Sequence, residues 1–322
     1  MSTLMAEPSL YRHPQLEIEG VFDINQNEES QPRLAHGQVD VGRVPISYTA
    51  GLPEQRIYDG WASFEPGFGG LKSTSRPLRN ALSELGLITV TYGPARNDND
   101  NPWTRLTRSQ DTHIQTIEAI ANDISKNPAI KRTAPDYKTI DFDRQVLIPH
   151  SMGGLAAVPY AEKQINNDNH NTSIDAIISL SSAGYGSPSF KQIAHAIPLG
   201  VGRAIRDELV PGLKNTDIAI NPTNLARIIH YYGRNPGRTI GEALSCLTQD
   251  VRPAVKRLGE QGVKTAFIAF ENDILIPPNE QISDVVDLYH VMPDSGHSAP
   301  QFEPKRVANM IVDSLHQLEL TT

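Results

Sequence analysis

The segment V-L-I-P-H-S-M-G-G-L-A, Val146 to Ala156, decides the reading of this chain. A short apolar run ends at a serine set among small residues, and a helix-forming run follows. That order places Ser151 at a sharp strand-to-helix turn of the form G-x-S-x-G, with Pro149 at the first small position and Gly153 at the last. Such a turn lifts a hydroxyl to the top of a sheet, where it can act as a nucleophile. A serine there could equally be a helix N-cap. The choice depends on whether the chain also supplies a base and an acid.

Outward from this segment, strands and helices alternate. Upstream lie Trp61–Phe64, a helix ending at Gly86, the apolar run Leu87–Tyr92 and a helix over Gln110–Ile124. In the last of these, Ile114, Ile117, Ile120, Ala121 and Ile124 recur at helical spacing. Downstream lie a helix over Met152–Gln164 and a strand over Ile174–Leu180. The pattern resumes with a helix over Asp250–Gln261, strands at Thr265–Phe270 and Asp287–Met292, and an amphipathic helix over Pro304–Leu318. Short, wholly apolar strands between helices predict an α/β fold, a mostly parallel sheet covered on both faces. Earlier, Gln38–Val41 and Val44–Tyr48 flank Gly42-Arg43 and read as a β-hairpin. Residues 1–35 are polar and read as an N-terminal extension with one possible strand near Leu16–Phe22. From Gly184 to Leu244 the alternation stops and prolines recur, so this stretch reads as a mainly helical insertion. The expected division is thus an extension (1–35), a core (36–183 and 245–322) and the insertion (184–244).

Composition narrows the function. The net charge is −8 and the basic residues are scattered, so no nucleic-acid surface is expected. No run approaches a membrane span and no signal segment opens the chain, so a soluble cytoplasmic protein is expected. The single cysteine, Cys246, allows no internal disulfide and reads as core filling. Histidines at 113, 170, 195 and 230 lack paired metal-ligand spacing, so no metal is expected. The glycine-rich segment Gly67–Thr74 has Leu71 before its lysine, which fails the phosphate-loop pattern.

Two further motifs complete the constellation. Asp273 follows the strand Thr265–Phe270 in E-N-D-I-L-I-P-P, and His297 follows the next strand in P-D-S-G-H-S-A-P. Serine is a weak nucleophile that needs a base; a histidine can take its proton, and a carboxylate can fix the tautomer and steady the imidazolium. Glu271 is the rival acid, nearer the strand. The developing oxyanion would be met by backbone N–H groups, Met152 after the nucleophile and Phe68 after Gly67. Tyr231 and Tyr232 could line a substrate pocket, though core packing explains them equally well.

With these residues in hand, the chain resembles the α/β-hydrolase superfamily, in particular its cap-bearing serine hydrolases, over roughly Val39 to Leu318. The elbow P-H-S-M-G-G matches G-H-S-M-G-G in five of six positions, the acid motif D-x-x-x-P is Asp273–Pro277, and the terminal G-H is Gly296-His297. Pro66 stands where such chains usually carry histidine before the oxyanion donor. The resemblance implies that 184–244 is a cap over the site. It also implies hydrolysis of a carboxylic ester, or a small amide or lactone, through an acyl-enzyme on Ser151, with no cofactor and a small acyl substrate as partner. A non-hydrolytic enzyme on the same fold, such as a lyase, and a catalytically weak binding protein are the alternatives. The sequence carries no sign of oligomeric state.

Overall fold

A computed structural model of the protein describes residues 32–42, 44–67, 75–93, 105–134, 137–166, 173–186, 249–273 and 275–321. Nearly all of the expected extension and insertion lie outside these residues, as do Phe68, Tyr231, Tyr232 and Cys246.

Eight strands form one sheet: β1 (Arg33–Val41), β2 (Val44–Leu52), β3 (Trp61–Glu65), β4 (Thr89–Tyr92), β5 (Arg144–Pro149), β6 (Ser173–Leu180), β7 (Lys264–Phe270) and β8 (Leu288–Met292). Their order is β1-β2-β4-β3-β5-β6-β7-β8. β1 and β2 make the expected hairpin, which is longer than the sequence suggested, and β2 joins β4 antiparallel. Every pairing from β4 to β8 is parallel. β1 starts at Arg33, so the strand crosses the expected boundary at residue 35.

The helices are α1 (Arg76–Glu84), α2 (Arg105–Ile124), α3 (Pro128–Thr133), α4 (Gly154–Ile165), α5 (Arg252–Glu260), α6 (Ala299–Phe302) and α7 (Pro304–Gln317). They divide between the two faces. Leu78, Leu82, Val307, Ile311 and Leu315 of α1 and α7 pack on Ala62, Val146, Ile178 and Ile268. Ile117, Ile120, Ile130, Val158 and Val255, from α2 to α5, pack on Trp61, Leu147, Ile177 and Phe267 on the other side. Successive residues of one strand thus enter opposite cores, which is why these strands read as continuous apolar runs.

Helix ends follow local chemistry. α1 begins with proline in its first turn and ends where Gly86 takes φ +96°, with Leu87 N–H returning to Leu82 O at 3.0 Å. Only glycine enters that conformation without strain, and the returning bond satisfies a carbonyl that the helix leaves open. The chain therefore turns sharply into β4. On the far face, Tyr48 donates to Asp123 at 2.5 Å and accepts from Asn127 at 2.6 Å, tying the hairpin to α2 and the turn after it.

Candidate active site

Three loops at the C-terminal ends of the parallel strands carry the site, where open sheets of this kind place their chemistry. The first is the turn after β5. Ser151 has φ +54°, an uncommon conformation for a residue with a side chain, and begins a 3-10 turn over Ser151–Gly153 that runs into α4. The surroundings over-determine this strain. His150 N–H donates to Glu65 O at 3.0 Å, Gly153 N–H to His150 O at 2.9 Å, and Ala183 N–H to Ser151 O at 2.8 Å. The small residues of the motif have a steric reason. A Cβ on Gly153 would lie 2.4 Å from the main-chain oxygen of Glu65.

Asp273 follows β7 and is buried. Its Oδ1 accepts the N–H groups of Leu275 at 2.8 Å and Ile276 at 2.9 Å, which leaves Oδ2 directed at His297 Nδ1, 2.7 Å away. Burial would raise the Asp273 carboxyl, but the His297 ring and these N–H donors outweigh it and hold the group below its ordinary value. The rival acid points elsewhere, since Glu271 accepts Asp294 N–H at 2.8 Å.

His297 sits in the turn after β8, fixed because Asn272 N–H donates to Ser295 O at 2.8 Å and Ala299 N–H to Gly296 O at 3.0 Å. Its Nε2 lies 2.9 Å from Ser151 Oγ. The structure therefore brings Ser151, His297 and Asp273 into one hydrogen-bonded line. With Nδ1–H donated to the carboxylate, Nε2 is free to accept the serine proton, and the line can generate an alkoxide-like nucleophile.

Of the expected oxyanion donors, Met152 lies in the turn directly after Ser151. Phe68 is outside the described residues, but Gly67, which precedes it, comes very close to Ser151. A Cβ on Gly67 would lie 2.6 Å from Ser151 Cβ and 3.2 Å from Ser151 Oγ. The segment that follows β3 is thus pressed against the Ser151 side chain, with no room for a Cβ.

Two further residues, Glu65 and His150, adjoin this line. Glu65, at the end of β3, is wholly buried, and burial pushes its carboxyl up to about 8. Its Oε1 accepts from Ser63 Oγ at 2.5 Å and its Oε2 from Ile148 N–H at 3.1 Å. The bonds continue from Gln145 to Ser63 at 2.9 Å and from Tyr160 to Gln145 at 3.1 Å. The signal was an acid placed directly after an apolar strand, next to Pro66-Gly67. His150 packs beside the sheet, as its place in the turn suggests, and its ring also reaches the His297 loop. Among the described residues no cluster of His, Cys, Asp and Glu could hold a metal ion, and no helix is long and apolar enough to cross a membrane.

No protein-family model matches the sequence, and no curated protein matches it. Solved structures do resemble it in shape. A bromoperoxidase from Bacillus anthracis superposes with a TM-score of 0.58 at 14% identity, covering 88% of this chain and 100% of that one. An enol-lactonase from Burkholderia xenovorans gives 0.57 at 16% identity, covering 87% and 100%. A thermophilic esterase from Thermogutta terrifontis gives 0.56 at 14% identity, covering 88% and 99%. Identities this low speak to architecture alone. With a mostly parallel eight-stranded sheet, helices on both faces and these neighbours, the chain has the α/β-hydrolase fold.

Proposed function

We propose that this protein is a serine hydrolase that cleaves a carboxylic ester, or a small amide or lactone, through an acyl-enzyme. The observation that carries the reading is the continuous line from Ser151 Oγ through His297 Nε2 and Nδ1 to Asp273 Oδ2, with separations of 2.9 and 2.7 Å.

In this reading Ser151 Oγ attacks the substrate carbonyl carbon as its proton passes to His297 Nε2. Asp273 stabilises the resulting imidazolium without taking the proton. The carbonyl oxygen becomes an oxyanion held by the N–H groups of Met152 and Phe68. Collapse expels the alcohol, which leaves with the proton from His297. Water then gives a proton to His297, attacks the acyl carbon and releases the acid, restoring Ser151. Residues 184–244 form the cap over the site, with Tyr231 and Tyr232 as pocket residues. An esterase and an enol-lactonase among the structural neighbours support the substrate class.

The test is labelling with a fluorophosphonate probe together with turnover of a short p-nitrophenyl ester. Wild type should label and turn over, and Ser151→Ala should do neither. A wild type that does neither sinks the hydrolase reading. Labelling that persists in Ser151→Ala sinks the assignment of the nucleophile.

A further inference from the structure

His150 directly precedes the nucleophile, and its backbone and side chain act on different partners. Its backbone N–H and C=O hold the turn that carries Ser151, through Glu65 O and Gly153 N–H. Its ring lies between two others, 6.4 Å from Phe64 at an interplanar angle of 16° and 4.8 Å from His297 at 37°. Its Nε2 is 2.8 Å from the main-chain oxygen of His297. A carbonyl oxygen only accepts, so Nε2 carries the hydrogen and donates it. Burial, with His297 alongside, pushes His150 down to about 3 and keeps the ring neutral.

We propose that His150 is a positioning residue for the base: its Nε2–H···O=C bond fixes the main chain at His297 and so aims that imidazole at Ser151 Oγ. One residue thereby registers the nucleophile through its backbone and the base through its side chain. The two loops come from different strands, β5 and β8, which are three places apart in the sheet. Other bonds hold the His297 turn to β7 and to itself, and the His150 bond links that turn directly to the turn that carries Ser151. This inference rests on the hydrolase reading.

Two variants separate donor from ring. His150→Phe keeps a ring between Phe64 and His297 but donates nothing. His150→Gln gives up the ring but places a side-chain N–H at nearly the same reach. The expected result is a fall in kcat of roughly tenfold to a hundredfold in His150→Phe, the scale of a small misplacement of reacting groups. KM should stay within about twofold, the scale of an unchanged binding interaction. The rate of fluorophosphonate labelling should fall in step, and His150→Gln should recover most of the loss. Wild-type kcat in His150→Phe, or equal losses in both variants, overturns the proposal. Nitrogen-15 NMR of wild type is an independent check that needs no variant to fold. It should show a neutral His150 with a slowly exchanging Nε2–H through the working pH range, and an Nδ1–H tautomer or a fast-exchanging proton overturns the proposal. A wild type that neither labels nor hydrolyses overturns this inference together with the hydrolase reading. A labelling wild type whose Phe variant keeps its kcat overturns this inference alone.

Discussion

Replacing Glu65 by Gln should make the protein less sensitive to rising pH. The Glu65 carboxyl is wholly buried at the end of β3, and its shift to about 8 from an ordinary 4.5 is due mainly to burial. Ser63 Oγ, Ile148 N–H and the residue's own N–H favour the ionised form and pull the other way. No ion pair to this carboxyl is found among the described residues. The ionisable groups facing it are Tyr92 from β4 and Tyr160 from α4, both neutral at working pH. The sign follows from linkage. Between 4.5 and about 8 the folded chain holds a proton that the unfolded chain has released, so stability is greatest below this window and falls as pH rises through it. Each pH unit inside the window costs about 1.4 kcal/mol and less near its two ends, so wild type should lose between about 3 and about 4 kcal/mol from pH 5 to pH 8 that the Gln variant does not. Urea unfolding of both proteins at the two pH values measures this as a difference of differences. Any fixed change in hydrogen bonding cancels, as do titrations that both proteins share. Equal pH dependence in the two proteins would refute the reasoning, because it would mean that the hydrogen-bond donors outweigh burial and the carboxylate is ionised in the fold.

Three further outcomes test the site. Gly67→Ala should lower kcat by about 10²-fold or more, because a Cβ 2.6 Å from Ser151 Cβ must displace the nucleophile; steady-state ester hydrolysis reads this. Asp273→Asn should lower kcat by about 10³- to 10⁴-fold with fluorophosphonate labelling correspondingly slowed, since an amide no longer selects the Nδ1–H tautomer of His297. Ser151→Gly should be more stable than Ser151→Ala by about 1 kcal/mol in denaturant unfolding, because φ +54° strains alanine and not glycine. A Gly variant no more stable than the Ala variant would mean that the turn relaxes once the hydroxyl is gone.

The fold was legible because its signals are local. Runs such as T-A-F-I-A-F are apolar on both faces, and only a strand covered on both sides needs that pattern. Ser151, Asp273 and His297 were legible from their order together with the elbow, D-x-x-x-P and G-H motifs, and each follows a strand that ends at the same edge of the sheet. The short helices α3 and α6 gave no comparable signal. Pro128 opens one and Pro300 lies in the first turn of the other, and proline in a sequence reads first as a breaker. Glu65 was illegible for a different reason. Its burial comes from the packing of neighbouring strands and α4 around it, contacts made across wide gaps in sequence, so an acid after an apolar strand reads as the start of a loop. The D-x-x-x-P motif favoured Asp273 over Glu271, and the side-chain directions agree, with Asp273 turned to His297 and Glu271 to Asp294 N–H.

Pro149 shows how a departure from the usual motif can be absorbed. Ile148 and His150 both direct their N–H groups toward β3, so the position between them faces β6. A residue with an N–H there would continue the β5–β6 ladder, and proline cannot. Accordingly the ladder pairs as far as Leu147 with Ile177 and reappears as a single bridge between His150 and Leu180. The missing link is replaced on the same side, by residues beyond the end of β6. Ser182 Oγ donates to Pro149 O at 2.8 Å, and Ala183 N–H donates to Ser151 O at 2.8 Å. The turn is therefore held by the residues that follow β6 where the ladder would have held it. Proline's fixed φ in turn limits the freedom of the chain entering the strained Ser151. The strain at Ser151 is thus sustained by four main-chain and side-chain bonds around one turn, to Glu65 O, His150 O, Ser151 O and Pro149 O. This arrangement makes the geometry of Ser151 a property of the whole sheet edge, with the motif supplying only the small residues that let the neighbours approach.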